Sequence, residues 1–302
     1  MKDEFIFYPP IRWGLIVHVI GALLLISAGG YGLWQAFHAT IGPSFLIFLI
    51  PSLLALGLAA WLIYRGYALR GAHYILERDG LRLHWGLRLE DIPMDTVVWV
   101  RQAEDLESRL PLPWLRIPGA VLGSRNLTGI GDVEFFASSW HGIVLVATSE
   151  RIYAISPQDP QVFLSSFQRF MELGSLSPLP ARSVYPTILL TRVWQARLAR
   201  YTILLGLGFS LLLLIGASLA IPGRDQISLG FTSSLEPRDP IPAVRLMLLP
   251  VLNGFFFLAD FLLGLFFFRQ DENQSLSYLV WGGGALTALL FLLGMIIVLQ
   301  VG

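Results

Sequence analysis

The stretch WGLIVHVIGALLLISAGGYGLWQAFHATIGPSFLIFLIPSLLALGLAAWLIY, residues 13–64, contains no Asp, Glu, Lys or Arg. Only the segment HATIGP at 38–43 interrupts its apolar residues. A helix needs about 20 apolar residues to cross roughly 30 Å of hydrocarbon, and both 13–36 and 44–64 reach that length. The stretch therefore predicts a hairpin of two membrane-spanning helices.

The composition of the whole chain agrees with a membrane protein. Of the 302 residues, 55% are hydrophobic and 14% are charged, and the mean hydropathy is +0.64. A typical soluble globule of this length is less apolar. The formal net charge is zero, so no nucleic-acid partner is expected. Cysteine is absent, which excludes disulfides, thiolate metal sites and thiol nucleophiles.

Three further apolar runs, 201–221, 246–268 and 276–299, complete a predicted set of five spans. An excess of Lys and Arg marks the cytoplasmic side of such proteins. The basic residues that flank the spans on one side are Lys2, Arg12, Arg65, Arg70, Arg192, Arg197, Arg200 and Arg269, and those on the other side are Arg224, Arg238 and Arg245. We therefore expect a multi-pass protein of the plasma (inner) membrane. Its N-terminus and middle section are expected in the cytoplasm and its C-terminus outside.

The middle section, residues 71–173, has the two-residue period of β-strands. Leu81, Leu83 and Trp85 alternate with polar residues or glycine, which is typical of a strand with one wet face. The pair Asp79-Gly80 before them is a hairpin signal. Further strand candidates are TVVWVRQ (96–102), DVEFFAS (132–138), GIVLVAT (142–148) and RIYAIS (151–156). We expect a β-rich domain here.

One helix is predicted at the end of this domain. The sequence SPQDP offers Asp159 as an N-cap and Pro160 for the first turn. Phe163, Phe167 and Phe170 then recur at helical spacing and form an apolar stripe. We expect this stripe to pack across the open end of a sheet or barrel.

The segment 174–186, GSLSPLPARSVYP, predicts a linker without regular structure, because it is rich in Ser and Pro. The next residues, TILLTRVWQARLAR, mix apolar side chains with Arg. They form either an interfacial lead-in to the third span or a separate amphipathic helix that lies flat. The predicted division is a membrane hairpin over 1–70, the β domain over 71–173, a linker and interfacial helix over 174–200, and a three-helix membrane region over 201–302.

The run WLRIPGAVLGSRNLTGIGDVEFFASSWHGIVLVATSERIYAISPQDPQVFLSSFQRF, residues 114–170, resembles the bacterial PH-like domain of membrane-anchored proteins. The resemblance implies a multi-span α-helical membrane protein with an inserted PH-like domain. That domain would consist of two orthogonal antiparallel sheets and a C-terminal helix. The resemblance brings no catalytic residues. The last third of the chain also looks like the membrane part of such proteins, except that Gly230 stands where they carry a His.

The segment 109–131 is the predicted contact surface of the domain. Its prolines stiffen it, and it carries an apolar patch of a kind that surface loops rarely expose. The patch consists of Leu112, Trp114, Leu115 and Ile117. It could meet a partner, dip into the membrane beside the spans, or fold back into the core of its own domain.

Asp260 is the one formal charge within the predicted spans, and Asn253 lies seven residues earlier on nearly the same helix face. An ionisable group inside a membrane suggests a function by default, such as a polar track for a proton or small solute. The other interpretation is that both side chains bond to neighbouring helices while Gly264 permits close packing. The lack of a second charge to continue a relay favours the structural role.

The charge of the domain bears on its ligands. Residues 73–173 contain nine Arg and no Lys against thirteen acids, a net charge of −4. Phosphoinositide capture needs clustered basic residues, so no specific phosphoinositide binding is expected. The five His are dispersed and no nucleophile–base pair can be assembled, so no metal, cofactor or enzymatic activity is expected.

The predicted spans, the β domain and Asp260 together lead to two functional hypotheses. The first is a non-enzymatic, membrane-anchored PH-like module that scaffolds another membrane or envelope protein. The second is a small transporter or lipid-handling membrane protein with the PH-like domain as a regulatory cap. Asp260 is the feature that distinguishes them.

Overall fold

A computed structural model gives the fold of the chain. It describes residues 4–105, 110, 113, 116–127, 131–174, 179, 181–184, 188–227, 241–270 and 273–301. Five helices in this part are long and apolar enough to cross a membrane: Arg12–His38, Pro43–Arg70, Arg197–Gly223, Ala243–Phe268 and Gln274–Gln300. The prediction of five apolar helices of spanning length is confirmed. The chain divides into one compact unit of residues 1–28 and 55–186 and another of 29–54 and 187–302.

The first two helices, α1 (Arg12–His38) and α2 (Pro43–Arg70), are apolar on all sides. This distribution suits helices whose outer surface contacts lipid rather than water. Within the first unit they approach each other closely at glycines. A Cβ atom at Gly66 would lie 3.3 Å from the Cβ of His18. Small residues at helix contacts are typical of membrane proteins because they let the backbones come together.

The first sheet has five strands, and every neighbouring pair is antiparallel. Their spatial order is β1 (Glu4–Phe7), β2 (His73–Glu77), β3 (Gly80–Trp85), β4 (Arg88–Pro93) and β11 (Arg182–Val184). The predicted alternation is confirmed in β3, where Leu81, Leu83 and Trp85 are buried and Arg82 and His84 are half-buried.

Two strands of this sheet lie outside the predicted limits of the domain. β1 belongs to the segment before the first span, and β11 lies in 174–186, which we expected to be a linker without regular structure. The aromatic side chains of β1 face the helix that ends the domain. The ring of Phe5 lies 5.6 Å from that of Phe170, and the ring of Phe7 lies 5.0 Å from that of Phe163. The domain therefore includes one strand from before α1 and one from after α3, in addition to the predicted residues 71–173.

The second sheet has six strands and is mixed. Their spatial order is β5 (Val97–Gln102), β9 (Val144–Thr148), β10 (Ile152–Ile155), β8 (Gly131–Ala137), β7 (Ala120–Leu127) and β6 (Arg116–Ile117). β8 and β10 run parallel, so the prediction of two antiparallel sheets is wrong for this pair. Parallel neighbours need a connection of about a dozen residues. The segment 138–151, which includes β9, provides it.

The helix at the end of the domain is α3 (Pro160–Leu173), as predicted. The Asp159 carboxylate caps it by accepting a hydrogen bond of 3.2 Å from the Val162 amide. Phe163, Phe167 and Phe170 are all buried and belong to the main core, together with residues of both sheets. The predicted stripe is therefore confirmed.

An ion cluster joins the two sheets. Arg88 in β4 pairs with the buried Glu134 in β8, and Arg151 lies 3.2 Å from the other oxygen of the same carboxylate. The Arg88 guanidinium also lies 3.9 Å from the centre of the Phe136 ring. Glu90 accepts a 2.7 Å hydrogen bond from the Ser183 hydroxyl of β11. Glu90 and Glu134 are buried, and buried charges are stable only when they are paired in this way.

The second unit contains the remaining helices: α4 (Ile188–Gln195), α5 (Arg197–Ala220), α6 (Leu248–Phe268) and α7 (Gln274–Val301). Ala196 has an extended ψ of 106° and separates α4 from α5, so α4 is a helix of its own. The short strands β12 (Gln226–Ile227) and β13 (Ile241–Pro242) pair antiparallel between α5 and α6. Gly230 lies outside the described residues.

Candidate functional site

A cleft of about 810 Å³ lies in the first unit where α1 begins beside the β domain. We call it the junction cleft. Residues 8–14, Val17, 118–119, 138–141 and Gln158 line it. These residues come from the segment between β1 and α1, the turn between β6 and β7, the connection after β8, and the approach to α3. Four distant parts of the sequence therefore meet at one end of the domain.

Backbone contacts hold the walls of the junction cleft together. The Gln158 amide donates a hydrogen bond of 2.9 Å to the Tyr8 carbonyl, and the Gly119 amide donates one of 2.9 Å to the Ser138 carbonyl. A Cβ atom at Gly14 would overlap the Cα of Gly119. Gly119 also has a φ of +87°, which L side chains rarely adopt. The start of α1 thus contacts the β6–β7 turn directly, through two glycines.

The lining of the junction cleft includes three large aromatic side chains and two that can donate hydrogen bonds from basic groups. Trp13, Trp140 and Tyr8 are 77%, 43% and 56% exposed. Arg12 and His141 also line the cleft, and none of the described lining residues is Asp or Glu. Large exposed aromatic side chains in a concave surface mark binding sites more often than ordinary surface. The arrangement suits a partner segment that brings apolar and acidic side chains.

The predicted contact segment forms part of this cleft. Pro118 and Gly119 line it, whereas Val121 is buried in the core, as is typical of a strand in a sheet. Ile117 in β6 is half-buried. The other predicted contact residues, Leu112, Trp114 and Leu115, lie outside the described residues. The described part of the segment therefore both meets the first span and packs into its own domain.

Asn253 lies in a helix contact of the second unit. It is 1% exposed, and its Nδ2 donates a hydrogen bond of 2.8 Å to the Ser210 hydroxyl, which joins α6 to α5. Asp260 faces α7, where a Cβ atom at Gly284 would lie 2.8 Å from its Oδ2. A Cβ at Gly264 would overlap the indole of Trp281, again on α7. These contacts support the structural interpretation of the polar residues in the spans.

A histidine pair lies on the first sheet. His73 and His84 face each other across β2 and β3, with ring centres 4.5 Å apart and planes 11° from parallel. Burial lowers the pKa of His84, and the nearby charge of His73 lowers it further. No group of three or more potential metal ligands comes together within the described residues.

The sequence alone does not reveal the junction cleft. The segment before the first span stands out only for its flanking charges, although Phe5 and Phe7 have the two-residue spacing of a strand face. Pro9 and Pro10 then carry the chain from β1 into α1 and place Tyr8 in the cleft. The partners of these residues lie more than a hundred positions away, at 118–119 and 138–141. Contacts between such distant segments cannot be derived from the local spacing of residues.

The described chain combines a β domain of two sheets and a closing helix with five apolar helices long enough to cross a membrane. Residues 72–170 match the family described as bacterial PH domain. This central part of the chain is therefore a bacterial PH-like domain, as the resemblance predicted. No curated protein and no solved structure matches the sequence.

Proposed function

We propose that the chain is a non-enzymatic, membrane-anchored PH-like interaction module that scaffolds or regulates another protein of the cell envelope. The junction cleft carries this proposal, because it combines exposed aromatic side chains with a rigid backbone frame at the start of a span. A partner anchored in the same membrane would present its own juxtamembrane segment at this level. Such a segment needs only a short reach to enter the cleft.

The charge of the cleft favours an acidic partner segment. Arg12 offers a positive charge, and Arg12 and His141 both offer hydrogen-bond donors, with no acid among the described lining residues to compete for them. Phosphoinositide capture needs several clustered basic residues, and Arg12 is the only Lys or Arg among the described residues that line the cleft. The proposed ligand is therefore a protein segment rather than a phosphoinositide headgroup.

We also infer the orientation from the flanking charges. Eight Lys and Arg residues flank the spans on one side and three on the other, which places the N-terminus and the PH-like domain in the cytoplasm and the C-terminus outside. The family resemblance further supports sheets that cross orthogonally. The partner segment would then be cytoplasmic.

Photo-crosslinking in the native host tests the proposal. A photoreactive phenylalanine analogue replaces Trp140 in the cleft, and in a control variant it replaces Val162, which is half exposed on α3. Irradiation should join the Trp140 variant to one membrane protein, and the adduct should be absent from the Val162 variant. Identical adducts from both positions, or none from the cleft, would overturn the proposal.

Asp260 supports a second candidate function, a small transporter or lipid-handling protein with a regulatory cap. It places a carboxylate within a membrane helix, a position that is costly and by default functional. The variant Asp260→Asn keeps the size of the side chain and removes its ionisation. Loss of complementation of a deletion strain by this variant, with normal amounts of protein in the membrane, would favour the transporter over the module.

A further inference from the structure

The two polar side chains of α6 differ in whether they have a partner. Asn253 is buried and donates to the Ser210 hydroxyl. Asp260 is half-buried, and no hydrogen bond or ion pair joins it to another described residue. Neither of its carboxyl oxygens is among the enclosed polar atoms that lack a partner in the described chain. The carboxyl group is therefore unbonded but open to its surroundings.

The depth of Asp260 makes this unbonded state costly. The residue lies eight positions before Phe268, the last residue of α6, which is roughly 12 Å along the helix axis. In a helix that crosses a membrane, such a position lies within the hydrocarbon, where water supplies no partners. A carboxyl group there is neutral, because an unpaired charge in hydrocarbon is costly. It then has one O–H donor and one acceptor oxygen to satisfy.

The neighbouring helix leaves the carboxyl group uncovered. α7 presents Gly284 to Asp260, and a Cβ atom there would lie 2.8 Å from Oδ2. The missing side chain makes room for the carboxyl group but supplies no donor. One turn away on α6, the exposed side chains beside Asp260 are Phe256 and Leu263. The carboxyl group therefore lies at the border of an apolar surface that another helix can cover.

A second copy of the chain offers the complementary group. Two copies have the same orientation in one membrane, so Asp260 lies at the same depth in each. None of the predicted spans contains Lys or Arg, so the second copy brings no cation to that depth. It brings the same neutral carboxyl group, and two such groups satisfy each other through a pair of O–H···O hydrogen bonds. A twofold axis along the membrane normal places residues near it opposite their own equivalents.

We propose that the chain forms a homodimer in the membrane, in which the Asp260 carboxyl groups of two copies hydrogen-bond to each other across a twofold axis. Phe256 and Leu263 of both copies pack around this pair and exclude lipid from it. The dimer carries two PH-like domains, and so two junction clefts. It does not depend on what either cleft binds.

Energy transfer between copies tests the dimer. Full chains labelled at the N-terminus with a donor or an acceptor fluorophore are reconstituted together in phosphatidylcholine vesicles at a series of protein-to-lipid ratios. Transfer in the unaltered chain should fall on dilution as a monomer–dimer equilibrium requires. Asp260→Ala removes the donor and the acceptor and should raise the dissociation constant about 5-fold to 30-fold. Asp260→Asn keeps a self-complementary group and should recover most of the affinity.

Single cysteines locate the interface, because the chain has no cysteine of its own. Oxidation of membranes that contain Leu263→Cys or Phe256→Cys should link two copies by a disulfide, since both positions lie one turn from Asp260. Leu258→Cys is the matched control. Leu258 is also exposed, but it lies two residues from Asp260 and hence on roughly the opposite side of α6. It should give little linked dimer.

Three results would overturn the proposal. Energy transfer in the unaltered chain no greater than random proximity produces would show a monomer. An unchanged dissociation constant in Asp260→Ala would place the contact elsewhere. Equal linkage at Leu258 and Leu263 would show collision between copies rather than an interface. The first and third results come from chains that keep Asp260, so they decide the matter even if Asp260→Ala fails to fold.

Discussion

The buried charges of the β domain depend on one another, because loss of one charged side chain destabilises the charges that are paired with it. Arg88 and Glu134 bring strands of the two sheets into one ion pair, and Arg151 shares the same carboxylate. Removing one partner of a buried pair leaves an uncompensated charge, which costs more than the pair itself contributes. The cluster therefore contributes little net stability. Its main effect is to fix the position of β4 in the first sheet relative to β8 in the second.

We predict that Glu134→Ala lowers the free energy of unfolding by about 3 kcal/mol, because the half-buried Arg88 loses the nearer of the two carboxylates, Glu134 and Glu90, that face it. Thermal unfolding of the full chain in detergent measures the change. Glu150→Ala, at an exposed position of the β9–β10 turn, is the matched control and should change the value by less than about 0.5 kcal/mol. Equal effects of the two substitutions would contradict a role for the cluster.

The histidine pair predicts a dependence of stability on pH. Because the pKa of His84 is lowered in the folded domain, the unfolded chain binds more protons just below pH 6.5, the usual pKa of histidine. Stability should therefore be complete above about pH 6.5 and fall as the pH drops through the window between that value and the lowered pKa. His84→Gln should flatten this part of the curve. His73→Gln removes one cause of the shift and should give an intermediate slope.

At the scale of elements, the contact between α1 and the β6–β7 turn depends on two glycines. We predict that Gly119→Ala destabilises the chain by about 2 kcal/mol or more, since a new Cβ both overlaps Gly14 and strains a positive φ. Gly131→Ala is the control, because Gly131 also has a positive φ but faces open space among the described residues. Chemical denaturation in detergent compares the two variants. The contact is unimportant if they lose the same stability.

The contact between α6 and α7 makes a similar prediction within the membrane region. Gly264→Leu would push Trp281 away and should lower the midpoint of thermal unfolding by several degrees, as overpacking in a close helix contact does. Gly254→Leu lies on the same helix and meets open space among the described residues, so its midpoint should stay near that of the unaltered chain. A fall of the same size in both variants would point to the glycine itself rather than to the contact.

The elements differ in how far the sequence alone could predict them. The five apolar helices follow from hydropathy, and α3 follows from its cap at Asp159 and the spacing of its phenylalanines, because these signals are local. β1 and β11 are short and become strands only through partners such as Tyr74 and Leu89, far away in the chain. The parallel pairing of β8 with β10 is also non-local. Strand pairing between distant segments produces no periodic pattern in the sequence.

The candidate sites also divide into those with a local signal in the sequence and those that depend on contacts between distant residues. Asn253 and Asp260 could be singled out because polar residues in an apolar run are conspicuous, and their helix contacts were one of the two interpretations. The junction cleft could not be found in this way, since Tyr8 and Trp140 are far apart in the sequence and line the same cleft only in the folded domain.

At the scale of the whole molecule, the absence of cysteine makes the orientation simple to test. A single cysteine can replace Ser149 in the exposed β9–β10 turn or Asp225 in the loop after α5. We predict that a membrane-impermeant maleimide added to intact cells labels Asp225→Cys and reaches Ser149→Cys only after lysis, because the excess of flanking Lys and Arg predicts a cytoplasmic β domain. The opposite pattern would reverse the orientation and move the partner of the junction cleft to the outer side.

The pairing of β1 with β2 constrains the biogenesis of the protein. The chain runs from β1 through α1 and α2, and only then supplies β2, the strand with which β1 pairs. β1 can therefore pair only after both helices have been synthesised. The completed pair ties the start of α1 to the end of α2, so movement of one helix along the other would first have to break the hydrogen bonds between β1 and β2.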